Sequence, residues 1–232
     1  MNEPYGYSAT DLTNFEAAWL AAYPSLPRDH VIVPGTGSDT SLCAEGADPS
    51  LAGTLLSIHI YGMFGDTHTT EAAWVSDFEN ALCGYASRAV VTEFGVPMTT
   101  GVDYDGPKDG VNDASYLYAI TDTVRSQGIG SVLWTGVKEA AQTVGPGPCE
   151  NASCAITTLN GSGTDLSLSV TNQSGLDRLQ WVGAPAPIRA ATMTFCVASA
   201  PTAAWTCPSS PRPTGPCCRS GTAMKATTRR GP

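Results

Sequence analysis

Acid is missing from the last part of this chain. Residues 186–232 contain no Asp or Glu and six Lys or Arg, whereas residues 1–185 hold all 21 acids and the other six of 12 basic residues. The body therefore carries a net −15 and the tail +6, within a chain of −9. An acidic body repels a phosphate backbone, so nucleic acid is not expected as a partner, and a neutral polysaccharide suits it better. Long apolar runs are also missing. None approaches the ~20 residues of a membrane span, so no membrane partner is expected. Histidine is scarce, with three in the chain, and Cys217 and Cys218 are adjacent rather than spaced as zinc ligands. Neither a metal nor a cofactor is expected on that pattern. No leader peptide is visible, but the chain begins inside the motif Asn2-Glu3-Pro4, so this says nothing about export.

With 42% hydrophobic residues the chain can bury a core. Its eight cysteines are many for a cytosolic enzyme. Cys149 and Cys154, five apart, could close a small loop, which suggests an oxidising, extracellular setting and a secreted protein. Cys43 and Cys83 fit free buried thiols about as well.

Along the body, strand and helix signals alternate. Ser8 to Asp11 resembles a capping box, and Leu12, Phe15, Trp19 and Leu20 follow at helical spacing. Strands are predicted at His30–Pro34, Thr54–Ile60, near Val91 and at Ser131–Trp134. Between them lie a polar Gly-rich loop over 36–53 and a helix capped by Thr69 or Thr70 with Ala73, Trp74, Phe78, Leu82 and Cys83 on one face. A second helix runs through Tyr116, Leu117, Ile120, Thr121 and Val124 to Gly128. Short continuous apolar strands alternating with helices are the pattern of a parallel sheet covered by helices, an α/β architecture. After residue 140 the pattern changes. Residues 155–183 alternate as in an antiparallel ribbon, with turns expected at Asn160-Gly161 and Ser174-Gly175.

The apolar run Ala89-Val90-Val91-Thr92 ends in a single carboxylate, Glu93, and is broken by Gly95 and Pro97. That reads as a buried strand delivering one acid at its C-terminal tip, where it can be aimed and desolvated for chemistry. Asn2-Glu3-Pro4 offers a second such tip and His59-Ile60-Tyr61 a third. Two glutamates with a His and a Tyr at strand ends make a candidate site.

Asn2-Glu3-Pro4, His59-x-Tyr61, Thr92-Glu93-Phe94-Gly95 and Trp134, in this order, resemble the signature of glycoside hydrolase family 5, the cellulase-type retaining glycosidases on a (β/α)8 barrel. The resemblance covers about residues 1–140. It implies that Glu3 is the acid/base and Glu93 the nucleophile of a double displacement on a β-1,4-glucan, with no cofactor. Asn2 would donate to the sugar's 2-hydroxyl, Tyr61 would orient Glu93, His59 would line the pocket and Trp134 would offer a flat face to a sugar ring. For Trp134 a place in the core is the plainer alternative, and for His59 a structural role. Tyr5, Trp74, Lys138 and Glu139 could touch further subsites. A β-mannanase is the nearest alternative within the family; an inactive fragment or a carbohydrate-binding remnant is the alternative of another class.

The same resemblance implies eight strands, of which this chain supplies the tip of one and four more, about strands four to eight. The other strands, with an Arg and a His that position the two acids in the family, would precede Met1, so the chain reads as a C-terminal half. The domains expected are a partial barrel over 1–140, a β-ribbon extension over 141–185 and an irregular basic tail over 186–232. Read out of frame, the tail allows segments resembling a ricin-type lectin repeat, so a frameshifted lectin module is expected there, with a disordered basic linker as the alternative.

Overall fold

The structure, a computed structural model, describes residues 1–65, 67–139, 149 and 153–182. The tail over 186–232, with the lectin expectation placed on it, lies outside the described residues. So do 140–148 and 150–152.

Four parallel strands make the main sheet: β1 (Ile32–Pro34), β2 (Leu55–Tyr61), β3 (Ala89–Gly95) and β4 (Gly130–Leu133), side by side in chain order. Helices join them. Between β1 and β2 run the helical turn α2 (Thr36–Asp39), the short helix α3 (Cys43–Ala47) and a 3-10 turn; α4 (Glu71–Leu82) joins β2 to β3 and α5 (Asn112–Gln127) joins β3 to β4. In a parallel pair the chain must cross back over the sheet, and each crossover here brings a helix with it. The α/β expectation is met by these elements. Residues 1–3, the expected tip of an earlier strand, form no strand.

The core lies between the sheet and its helices. Leu56 and Ile58 of β2, Val91 and Phe94 of β3, Trp74, Phe78 and Leu82 of α4, and Tyr116, Leu117 and Ile120 of α5 are all buried. Trp74 stacks edge-on against Tyr116, with ring centroids 5.4 Å apart. Trp74 is thus a core residue, because its spacing with Phe78 and Leu82 puts all three on the packed side of α4, and it also lines a hollow shared with Glu3, His59 and Tyr61.

The phenol of Tyr116 ties two strand tips. It donates to the carbonyl of Ile60 at 2.5 Å and accepts from the N–H of Gly95 at 3.3 Å. Tyr116→Phe keeps the ring but leaves that N–H buried without a partner. The expected cost is about 1–2 kcal/mol in a urea denaturation at unchanged m-value.

Helix starts and stops follow local rules in part. Ser8 caps α1 (Ala9–Ala22), its hydroxyl accepting from the Asp11 N–H at 3.1 Å, as the sequence predicts. Gly128 ends α5 at a φ of 68°, where any larger side chain would be strained. Thr70 stands at the start of α4 without a side-chain cap bond; Asp109, 38 residues away, accepts from the Glu71 N–H at 2.7 Å instead. On α1 the buried face is Leu12, Thr13, Glu16 and Leu20, while Phe15 and Trp19 are 52% and 39% exposed. The apolar spacing at 12, 15 and 19 misplaced that face.

A second sheet joins β5 (Val137–Glu139), β6 (Thr157–Ser162) and β7 (Asp165–Val170). β6 and β7 pair antiparallel, as the alternation predicts, whereas β5 runs parallel to β6. Their turn is not at Asn160-Gly161, which is inside the ladder, but at Gly163-Thr164. The ribbon also ends early, because Gln173–Val182 forms a helix, α6. Asn172 starts that helix by accepting from the Gly175 N–H at 2.9 Å, so Ser174-Gly175 is a first turn of helix rather than a hairpin. No helix among the described residues is long and apolar enough to cross a membrane.

Candidate active site

The site is assembled at the C-terminal ends of β2 and β3. Along β2, Leu56 and Ile58 point into the core while Ser57, His59 and Tyr61 alternate onto the opposite face. Strict alternation along β3 would put Ala89, Val91 and Glu93 together on the core face. Instead the register slips: Ile58 pairs with Val91, but the next pair is His59 with Glu93, so Thr92 is an extra residue. Its hydroxyl meets that of Ser57 at 2.5 Å. One inserted residue reverses the parity, so Phe94 stays in the core and Glu93 turns to the His59 face.

There Glu93 accepts a hydrogen bond from the Tyr61 hydroxyl at 3.0 Å. Burial, then the charge of Glu93, pushes the Tyr61 phenol above its ordinary pKa, so it stays a donor. Tyr61→Phe removes the one hydroxyl shown steadying this carboxylate. If Glu93 acts as proposed below, turnover should fall about tenfold with the fold intact, checked by kcat beside the thermal midpoint.

Glu3 reaches the same place from the opposite side. Its carboxylate lies 2.9 Å from His59 Nδ1, and Glu93 lies 3.6 Å from that same nitrogen. One oxygen from each acid and this nitrogen all fall within 4.8 Å of one another. The Glu3 side chain is 44% exposed and that of Glu93 is 21% exposed, so both open onto solvent. Asn2, Glu3, Tyr61, Glu93 and Trp134 line one open cleft of about 330 Å³, with Phe64 and Cys149. Trp134 is half-exposed, so the core alternative for it falls. His59 is 2% exposed and lies beneath this group. All six sequence-predicted residues thus meet at one site. Tyr5, 87% exposed, does not line it, and Lys138 and Glu139 belong to β5 of the second sheet.

Three contributors were not anticipated from sequence. The first is Asp39, fully buried, whose carboxylate accepts from the N–H of Glu3 at 2.8 Å and of Gly35 at 2.6 Å. It also faces His59 Nε2 at 3.8 Å. Gly37, Ser38 and Asp39 all have positive φ, 65°, 63° and 63°, and Glu3 itself sits at 45°. Such backbone is costly outside glycine and persists only where the surroundings hold it. Here Asp39 and the bond from the Ser38 N–H to the Pro4 carbonyl hold the 2–4 segment against β1 and β2. Burial pushes the Asp39 carboxyl above its ordinary pKa, while the Glu3 N–H, His59 and the Gly35 N–H pull the other way. The sequence showed only a polar Gly-rich loop over 36–53; nothing local said that its acid would accept from the N–H of residue 3.

The second is Cys149, joined to Cys154 by a disulfide at the cleft's edge. A side chain at Gly95 would meet the Trp134 carbonyl and, at 3.1 Å, the Cys149 sulfur, so only glycine fits there. The third is Phe64, edge-on to Tyr61 at 5.7 Å. Cys43 and Cys83 are also bonded to each other rather than free. The sequence left them open because the two cysteines, 40 positions apart, are brought together only by α3 and the end of α4.

No protein-family profile matches the chain. No curated protein matches it either. Among solved structures, a triple variant of the endo-beta-1,4-glucanase from Xanthomonas axonopodis pv. citri aligns over 78% of this chain at 16% identity and a TM-score of 0.47. The beta-glucanase of Saccharophagus degradans in complex with cellotetraose aligns over 55% at 12% identity and 0.40, and the beta-mannanase of Streptomyces thermolilacinus over 68% at 19% identity and 0.37. The aligned part is 58%, 39% and 47% of those three chains, so this chain spans only part of their length.

Proposed function

We propose that this chain carries the catalytic acids of a retaining glycosidase acting on a β-1,4-glucan, on part of a (β/α)8 barrel. The observation that supports it is the approach of the Glu3 and Glu93 carboxylate oxygens to within 4.8 Å across an open cleft. Retaining glycosidases hold their carboxyl groups about 5–5.5 Å apart, close enough to grip one bond from both sides, and inverting ones hold them further apart to admit a water.

In this reading Glu93 attacks the anomeric carbon as Glu3 protonates the departing glycosidic oxygen, giving a glycosyl ester on Glu93. Glu3, now a carboxylate, takes a proton from water, whose oxygen attacks the same carbon and releases Glu93. The Tyr61 hydroxyl holds the attacking carboxylate. Asn2 lies beside Glu3, where a donor could meet the sugar's 2-hydroxyl, and the half-exposed Trp134 ring offers a platform for the next sugar. Two disulfides, Cys43–Cys83 and Cys149–Cys154, support an oxidising, extracellular location.

Release of reducing ends by the purified soluble protein tests the reaction, with carboxymethylcellulose against galactomannan to separate glucanase from mannanase. Retention of anomeric configuration in the first product, seen by proton NMR, is the expected result. Inverted product, or no release from either polymer, would remove the proposal. The lectin origin of the tail is tested separately by resequencing the coding DNA, where an intact frame would end it.

A further inference from the structure

We infer that Glu3, His59 and Glu93 also form a binding site for a divalent transition cation, zinc in particular, which would occupy the place of the sugar. The inference stands on the geometry and does not need the glycosidase reading to hold. Zinc takes imidazole nitrogen and carboxylate oxygen at about 2.0–2.2 Å, so ligands around one ion lie roughly 3–3.5 Å from each other. His59 Nδ1 is already 2.9 Å from a Glu3 oxygen and 3.6 Å from a Glu93 oxygen. The remaining separation is between the two acids, and the Glu3 side chain, 44% exposed, is the freer of the two to adjust around an ion.

The second side of the imidazole strengthens the case. A histidine that binds metal through one nitrogen carries its proton on the other, and that N–H is ordinarily held by a carboxylate. His59 Nε2 is buried, has no hydrogen-bond partner among the described residues, and faces the Asp39 carboxylate at 3.8 Å. Asp39 is itself fixed by the N–H groups of Glu3 and Gly35. Ligation at Nδ1 would put the proton on Nε2, with the Asp39 carboxylate 3.8 Å away as the nearest acid. One imidazole and two carboxylates with an open side favour zinc or copper over magnesium or calcium, which prefer all-oxygen shells. A bound ion would engage both acids and exclude the sugar.

Calorimetric titration of the full chain with zinc chloride tests this, using magnesium chloride as the contrast and thiols alkylated beforehand so that cysteine sites are silent. One zinc per chain and no magnesium heat are expected. Glu3→Gln and Glu93→Gln should each weaken zinc binding tenfold or more, with far-ultraviolet circular dichroism unchanged. A cobalt(II) titration should give visible absorption bands that both variants abolish. Zinc heat that survives both substitutions, or is lost on replacing the surface pair His68 and Asp77 instead, would overturn the site, as would no saturable zinc heat at all. Glycan hydrolysis is scored separately: a chain that binds zinc through these residues but cleaves no glycan keeps this inference and loses the other.

Discussion

Replacing Glu93 by Gln is expected to lower glucan hydrolysis by about a thousandfold or more, which is about 4 kcal/mol of transition-state stabilisation. The amide is nearly the same shape, and its oxygen can still accept from the Tyr61 hydroxyl that Glu93 accepts from at 3.0 Å. Fold stability should therefore move little, and a thermal midpoint within a few degrees separates chemistry from unfolding. Glu3→Gln should behave differently. Its loss falls on proton donation, so the defect should be large for a polysaccharide, whose leaving alkoxide needs the proton. It should be small for an aryl glycoside with an acidic phenol, which does not. If Glu93→Gln hydrolyses glucan at the unchanged rate while Glu3→Gln treats both substrates alike, neither acid has its proposed role.

Raising the pH from 4.5 to 8 is expected to destabilise the chain through one residue that takes no part in this chemistry. Glu16 is on the buried face of α1, 4% exposed, and neither carboxylate oxygen has a hydrogen-bond partner among the described residues. Burial, aided by the nearby acids Glu45 and Asp39, pushes its pKa from 4.5 up to about 8, so it is protonated in the fold at neutral pH. The unfolded chain releases that proton near 4.5. The folded state thus binds more protons across the interval, and stability falls as pH rises through it. A tenfold difference in proton affinity between the two states is worth about 1.4 kcal/mol, and with residual solvation the whole effect is on the order of 2–4 kcal/mol. Glu16→Gln should be near neutral at pH 4.5 and stabilising by that amount above pH 8, flattening the urea-midpoint profile. Parallel profiles for the two proteins would show that Glu16 has a partner that lets it ionise.

Glu16 also shows where periodicity misleads. Phe15 and Trp19 outweigh it on any hydropathy count, so the sequence rotates the buried face of α1 toward them. In the fold all three line a hollow between α1 and β1, the edge strand, with Glu16 at its buried side and the two aromatic rings exposed. A helix face is chosen by what packs against it, and at β1 no further strand stands beside the sheet among the described residues.

What the chain determined alone was local. Runs such as Leu55–Tyr61 and Ala89–Gly95 are strands because β-branched and apolar residues favour a pleated, buried surface, and the helices between them carry their own apolar faces. Tyr61 and Glu93 stood out because each lies at the end of such a run, just before a glycine turns the backbone away; Asn2, Glu3, His59 and Trp134 were named through the resemblance of their motifs, and residues 1–3 form no strand. Tertiary structure decided the rest. Whether Glu93 faces Val91's core or His59's cleft depends on one inserted residue at Thr92, which is a property of register with β2. That Asp39 holds the backbone at residue 3 depends on a left-handed turn stabilised by partners 36 residues away. Local sequence encodes which atoms are available; their meeting within a few ångströms is fixed by contacts between elements that no local window contains.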